Sequence, residues 1–193
     1  MRHLIIYAHP NEKSLNHQIL KTVTDTIKED GNHELIIRDL NTMQFNPVLS
    51  LKDLQDQRAG TLAEDIKKEQ EYISRAECIT FIYPIWWTGM PAVMKGYIDR
   101  VFTYGFAYRY DQGIQKGLLK GKKAAIINTH GKSHEEYTQT GMDKALQLTS
   151  DDGIFSYCGF DVIQHLFFDR ADRATAESVD LWKEQVKTFY RQI

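Results

Sequence analysis

Residues Ile79–Tyr83 form an almost unbroken apolar run that stops at Pro84. A strand with apolar side chains on both sides must be covered on both faces, and that requirement excludes a sheet open to water. Leu4–Ala8 ends in His9–Pro10 and makes the same demand, as does Lys123–Asn128. Between these runs the pattern changes period. Leu15, Ile19, Leu20, Val23 and Ile27 recur at helical spacing after Ser14, with Lys21, Asp25, Lys28 and Glu29 on the other face. Gly31–Asn32 then supplies a helix stop.

The same reading predicts a second strand at Glu34–Leu40, a loop around Asn46–Pro47, and a charged helix over about Ala63–Ala76. Cys78–Tyr83 is the third strand, and a helix follows over Pro91–Tyr104. Gly105–Gly121, rich in Gly and Tyr, reads as irregular. A fourth strand spans Lys123–Asn128, a helix falls somewhere in Met142–Tyr157, a fifth strand spans Asp161–Phe168, and a last helix runs from about Thr175 to Arg191. Strands alternating with helices imply a parallel sheet with right-handed crossovers. Five strands in 193 residues suit an α/β three-layer sandwich of flavodoxin-like order 2-1-3-4-5, in one domain spanning residues 1–193.

Composition narrows the function classes. A net charge of −2 lacks the basic excess of a nucleic-acid binder. No apolar stretch approaches the length needed to cross a bilayer. Cys78 and Cys158 form no C-x-x-C pair and sit in apolar surroundings, as expected of reduced core thiols in a cytoplasmic protein.

In such a sheet, ligands bind outside the carboxyl ends of the strands. The first such loop, His9–Asn16, carries neither a dinucleotide-binding glycine pattern nor a P-loop. It leads into a helix N-terminus whose free N–H groups suit a phosphate, with Ser14 and Asn16 as added donors. Ser14 as a simple N-cap accounts for the same residues equally well. After the third strand come Pro84–Ile85–Trp86–Trp87, and two adjacent indoles there can wall a flat aromatic ligand or merely cap the core. After the fourth strand, Asn128–Thr129–His130–Gly131 offers small and polar contacts to a heteroaromatic edge. His130 and His134 lie four apart but without H-E-x-x-H, so no metal is expected. Tyr104, Phe106, Tyr108 and Tyr110 cluster around Arg109, which suits the lid of a site for flat aromatic molecules.

These motifs together resemble the NAD(P)H:quinone oxidoreductase family with a flavodoxin-like fold, which includes DT-diaphorase and shorter bacterial quinone reductases. The resemblance runs from Ala8–His9–Pro10 and Ser14–Leu15–Asn16 to Cys158–Gly159–Phe160, and is densest over Tyr83–Phe102. It implies a bound flavin with NAD(P)H as co-substrate; FMN is favoured, with FAD the alternative, because no C-terminal extension encloses an adenosine. By the same analogy His9, Ser14, Leu15 and Asn16 hold the phosphate and ribityl chain. Pro84, Ile85, Trp86 and Trp87 lie along the isoalloxazine, with Asn128, Thr129, His130 and Gly131 on its other edge.

Tyr137 matches a family tyrosine beside the flavin's N1 side, and Tyr137 and His130 are the expected catalytic residues. Family members are usually homodimers, so Trp87 with Phe106 and Tyr108 would contact the quinone or other aromatic acceptor, the last two from the partner subunit. The chain departs from the pattern in two places. The family's T-T-G-G is Asn128–Gly131 here, and Asp143 stands where DT-diaphorase has a histidine, so its tyrosine–histidine relay does not carry over. The implied activity is two-electron, ping-pong hydride transfer. Alternatives are a regulatory subunit of a potassium efflux system, peripheral to a membrane transporter, an azo- or nitroreductase, or a flavodoxin-type electron carrier.

Overall fold

The computed structural model describes residues 1–193. Seven strands occur in chain order: β1 (Arg2–Tyr7), β2 (Glu34–Asp39), β3 (Cys78–Pro84), β4 (Tyr108–Asp111), β5 (Ile114–Gly117), β6 (Lys123–Thr129) and β7 (Asp161–Phe168). All but β4 and β5 join one parallel sheet of order β2-β1-β3-β6-β7. Counting sheet strands alone, this is the expected order 2-1-3-4-5.

The helices are α1 (Leu15–Glu29), α2 (Leu51–Ala59), α3 (Glu64–Arg75), α4 (Ala92–Val101), α5 (His134–Thr140), α6 (Met142–Gln147) and α7 (Ala176–Tyr190). A π-helical segment, Leu148–Ser156, continues α6. Successive strand residues point to opposite faces, which splits the core in two. Ile5, Tyr7, Ile82 and Ile127 meet Ile19 and Val23 of α1 and Val186 and Tyr190 of α7. Leu4, Ile6, Phe81 and Ile126 meet Ile66 and Ile73 of α3, Met94 and Tyr97 of α4, and Phe155 of the π segment. The result is a three-layer sandwich.

Several details differ from the sequence reading. Part of the expected loop around Asn46–Pro47 is followed by α2, which buries no residue and so shows no apolar period. It is held instead by a Ser50–Asp53 capping box and ended by Gly60 in the left-handed region. Arg100 ties this stretch down, bonding to Asn46 O at 3.0 Å, Asp53 Oδ1 at 3.0 Å and Asp65 Oδ2 at 2.9 Å. Burial would raise the Asp53 carboxyl, but hydrogen bonds from Arg100 and Ser50 prevail and hold it at about 2. Gly105–Gly121 is not wholly irregular, since β4 and β5 form an antiparallel hairpin within it. The helix expected from Pro91 to Tyr104 has Pro91 as its N-cap and ends at Val101.

Candidate active site

Three strand ends and the helix starts behind them build one cleft. After β1 the chain turns on Asn11, whose side chain accepts from Lys13 N–H at 2.8 Å. Ser14 caps α1 by accepting from His17 N–H at 3.1 Å. That bond satisfies the third N–H of the helix, while those of Leu15 and Asn16, in the first turn, have no intrahelical acceptor. Asn16 is buried, and its Nδ2 donates to Thr129 Oγ1 at 2.8 Å, joining the start of α1 to the end of β6.

Beyond β3, Ile85 N–H donates to Thr129 O at 2.7 Å, so the loops after β3 and β6 share a bond. Trp86 and Gly89 then exchange two backbone bonds around Trp87 and Thr88. Both central residues have positive φ, 49° and 54°, the pattern of a type I′ turn. Glycine or asparagine normally fills such a turn, so a tryptophan and a β-branched threonine there are strained.

Beyond β6, the His130 N–H donates to Phe168 O at 3.0 Å and Ala171 N–H donates to His130 O at 2.9 Å. A Ser133–Glu136 capping box starts α5 and brings Tyr137 against His130, the rings stacked at 4.4 Å and 7°.

The cleft so formed has a volume of about 490 Å³. Its first wall is His9, Ser14, Leu15 and Asn16, and its second is Pro84, Ile85 and Trp86. Thr129, His130 and Gly131 close it, together with Ala171 and Asp172. The last two were not singled out from sequence. They follow β7, the edge strand, and the rule that ligands meet strand ends would have found them had it been applied to the fifth strand.

Five residues expected at the site do not border this cleft. The Trp87 side chain is wholly exposed beyond the turn. Tyr137 is one ring behind, on His130. Phe106 lies in a separate surface groove beside Gln70 and Glu71. Tyr108 packs with Tyr104, Tyr110 and Tyr157, where the Tyr110 and Tyr157 hydroxyls are 3.0 Å apart. Asn128, fully buried, faces a neighbouring cavity of about 510 Å³ between the 86–89 turn, α4 and the π segment. Ile85 borders both cavities.

Charge in the cleft follows from burial. Desolvation lowers His130 from the usual histidine value, against the opposing pull of Asp169, so its ring is neutral at neutral pH. Burial lowers His9 in the same way, and raises the Tyr137 phenol. Asp143 accepts from Lys144 N–H and from Thr138, which lowers its carboxyl and keeps it an anion that cannot pass on a proton as an acid.

A flavin nucleotide can be tested against these donors. Asn16 Oδ1 and His130 Nδ1, on two residues that line the cleft, are among eight buried side-chain polar atoms of the chain without a hydrogen-bond partner. Two free helix N–H groups suit a phosphate, an unpaired amide oxygen suits a polyol hydroxyl, and Pro84, Ile85 and Trp86 give an apolar wall. The residues fit such a group.

Comparison with known proteins agrees with this chemistry. A family profile described as flavodoxin-like fold matches residues 1–189. A Haemophilus influenzae protein named as an uncharacterized NAD(P)H oxidoreductase is 40% identical over 92% of this chain and 91% of its own. Rat NAD(P)H dehydrogenase (quinone) 1 is 27% identical over 99% of this chain and 78% of its own. Among solved structures, an NAD(P)H:quinone oxidoreductase from Methanothermobacter marburgensis superposes with a TM-score of 0.90, at 27% identity over 99% of this chain and 98% of that one.

Proposed function

Because the chain belongs to the NAD(P)H:quinone oxidoreductase family with a flavodoxin-like fold, we propose that it binds FMN in the 490 Å³ cleft and carries electrons from NAD(P)H to a quinone or related aromatic acceptor. The observation that carries the reading is the pairing of two orphaned buried polar atoms, on Asn16 and His130, with the open first turn of α1.

When bound, the flavin supplies the centre that takes a hydride from one substrate and gives it to the next. The chain supplies placement and electrostatics. The N–H groups of Leu15 and Asn16, with the positive end of α1, hold the phosphate. Asn16 would face the ribityl chain with its unpaired Oδ1, while its Nδ2 keeps Thr129 in place. Pro84, Ile85 and Trp86 hold the ring from one side, and the backbone of Thr129–Gly131 from the other. Tyr137, one ring behind that edge on His130, keeps its proton at neutral pH, so its hydroxyl would be available as a donor to negative charge gathering there. The open side of the cleft would admit nicotinamide and acceptor in turn, as a ping-pong sequence requires.

The assembly is a homodimer in which Trp87, fully exposed in the single chain, and the Phe106 and Tyr108 of the second subunit complete the acceptor site. The purified protein should be yellow, release FMN on heating as identified by mass, and oxidise NADH or NADPH with a quinone. A preparation that stays colourless when supplied with FMN and FAD defeats the reading, and a stable semiquinone without quinone turnover would reassign the chain as a carrier.

A further inference from the structure

The Asn128 amide lies in a buried hydrogen-bonded chain that the roles above leave unused. Its Nδ2 donates to the Tyr83 carbonyl at 3.0 Å. Its Oδ1 lies 2.7 Å from His165 Nε2. His165 Nδ1 lies 2.9 and 3.0 Å from the two carboxylate oxygens of Asp151, and the His165 side chain is only 4% exposed. The imidazole stacks on Phe167 at 3.9 Å and 20°. Asp151 belongs to the π-helical segment, a winding frequent at functional sites. Its Oδ1 also accepts from Ser150 Oγ at 2.7 Å. Four elements, β3, β6, β7 and the π segment, are thus joined by one wire.

The wire fixes the hydrogens on the ring. A backbone carbonyl only accepts, so Asn128 must turn its NH₂ to Tyr83 and its oxygen to His165. The reversed amide would set two oxygens 3.0 Å apart with no hydrogen between them. A carboxylate also only accepts. Both nitrogens of His165 therefore face acceptors, and both must carry hydrogen. The resulting pair is oriented. Its anionic end sits on the π segment, and its cationic end points at the end of β6, one residue before Thr129–Gly131. Tyr83 and Asn128 are ladder partners, so the same wire ties together the residues from which both cleft loops depart.

We propose that His165 is a positioning residue, an imidazolium pinned by Asp151 that locks the ends of β3 and β6 through Asn128 and directs positive potential at the anion-forming edge of the cleft. The electrostatic half rests on the flavin reading given above; the protonation half does not.

The two halves are tested separately. Long-range ¹H–¹⁵N correlation spectra of the full chain without flavin, at neutral pH, should show one histidine ring with both nitrogens protonated and absent from His165→Gln. A singly protonated His165 tautomer overturns the proposal, whatever the protein does with flavin. In the flavin-loaded protein, His165→Gln should lose about tenfold in its preference for reduced over oxidised flavin, a midpoint potential about 30 mV lower for a two-electron couple. A folded, flavin-loaded variant with the wild-type potential overturns the electrostatic role, because loose packing alone would weaken both flavin states alike.

Discussion

Tyr137 and His3 show how burial sets the chemistry of a residue. Tyr137 is stacked on His130, so Tyr137→Phe keeps the ring pair and removes only the hydroxyl. If that hydroxyl steadies charge on the reduced flavin, its loss removes one charge-assisted hydrogen bond, and flavin reduction should slow by about 10- to 100-fold. Stopped-flow reduction by NADH checks this, with flavin content unchanged; equal rates would take Tyr137 out of the mechanism. His3 is remote from the cleft, at the other end of β1. Burial, with His33 beside it, lowers it from 6.5 to about 4. The folded chain thus holds His3 neutral where the unfolded chain would protonate it. The unfolded state then binds more protons, so stability is full above pH 6.5 and falls as pH drops toward about 4. Urea midpoints across that window should decline less steeply in His3→Leu than in the wild type, and parallel slopes would contradict the assignment.

Helix α4 and the segment crossing it show where packing, rather than pattern, decides an element's place. A Cβ on Gly96 would lie 2.1 Å from Pro47 O and 2.4 Å from Pro47 Cβ. Gly96→Ala therefore has to push α4 away from the stretch that Arg100 anchors through Asn46 O. Alanine's better helix propensity is worth about 1 kcal/mol, and overpacking against backbone costs about 1–3 kcal/mol or more, so the variant should be less stable. A lower urea midpoint at unchanged m-value checks it. The same region shows what a chain of residues does and does not announce. The strands were legible because Ile79–Tyr83 and Lys123–Asn128 are apolar on both sides, a pattern only a doubly covered sheet accommodates. Helices α2 and α5 have no fully buried residue, so apolar period could not reveal them. Their capping boxes, Ser50–Asp53 and Ser133–Glu136, were the available signal. The β4–β5 hairpin owes its place to a backbone contact, Gly117 against Gly159, that no local pattern encodes.

At the scale of the whole molecule, the site divides between what one chain builds and what it leaves open. The loops after β1, β3 and β6 converge because parallel strands end together, and that convergence could be read from strand ends alone. His165 and Asp151 were not legible in the sequence because they are 14 residues apart and meet only where the π segment packs against β7. Trp87 stands free in solvent, with Tyr104 58% and Tyr110 49% exposed on the same chain, and Phe106 and Tyr108 border no part of the cleft. Exposed aromatic rings of this kind mark contact surfaces. A two-fold dimer would let each chain's tyrosine cluster serve the other's cleft. Mixed dimers decide between that arrangement and a site contained in one chain. Tyr137→Phe damages the cleft on its own chain, whereas Tyr108→Ala damages the partner's cleft if the site is shared. When the two variants are co-expressed, a shared site leaves one intact cleft in every heterodimer, so about one quarter of all clefts regain wild-type turnover under random pairing. If Tyr108 served its own chain, every cleft would carry one lesion, and the mixture would show only the average of the two variants.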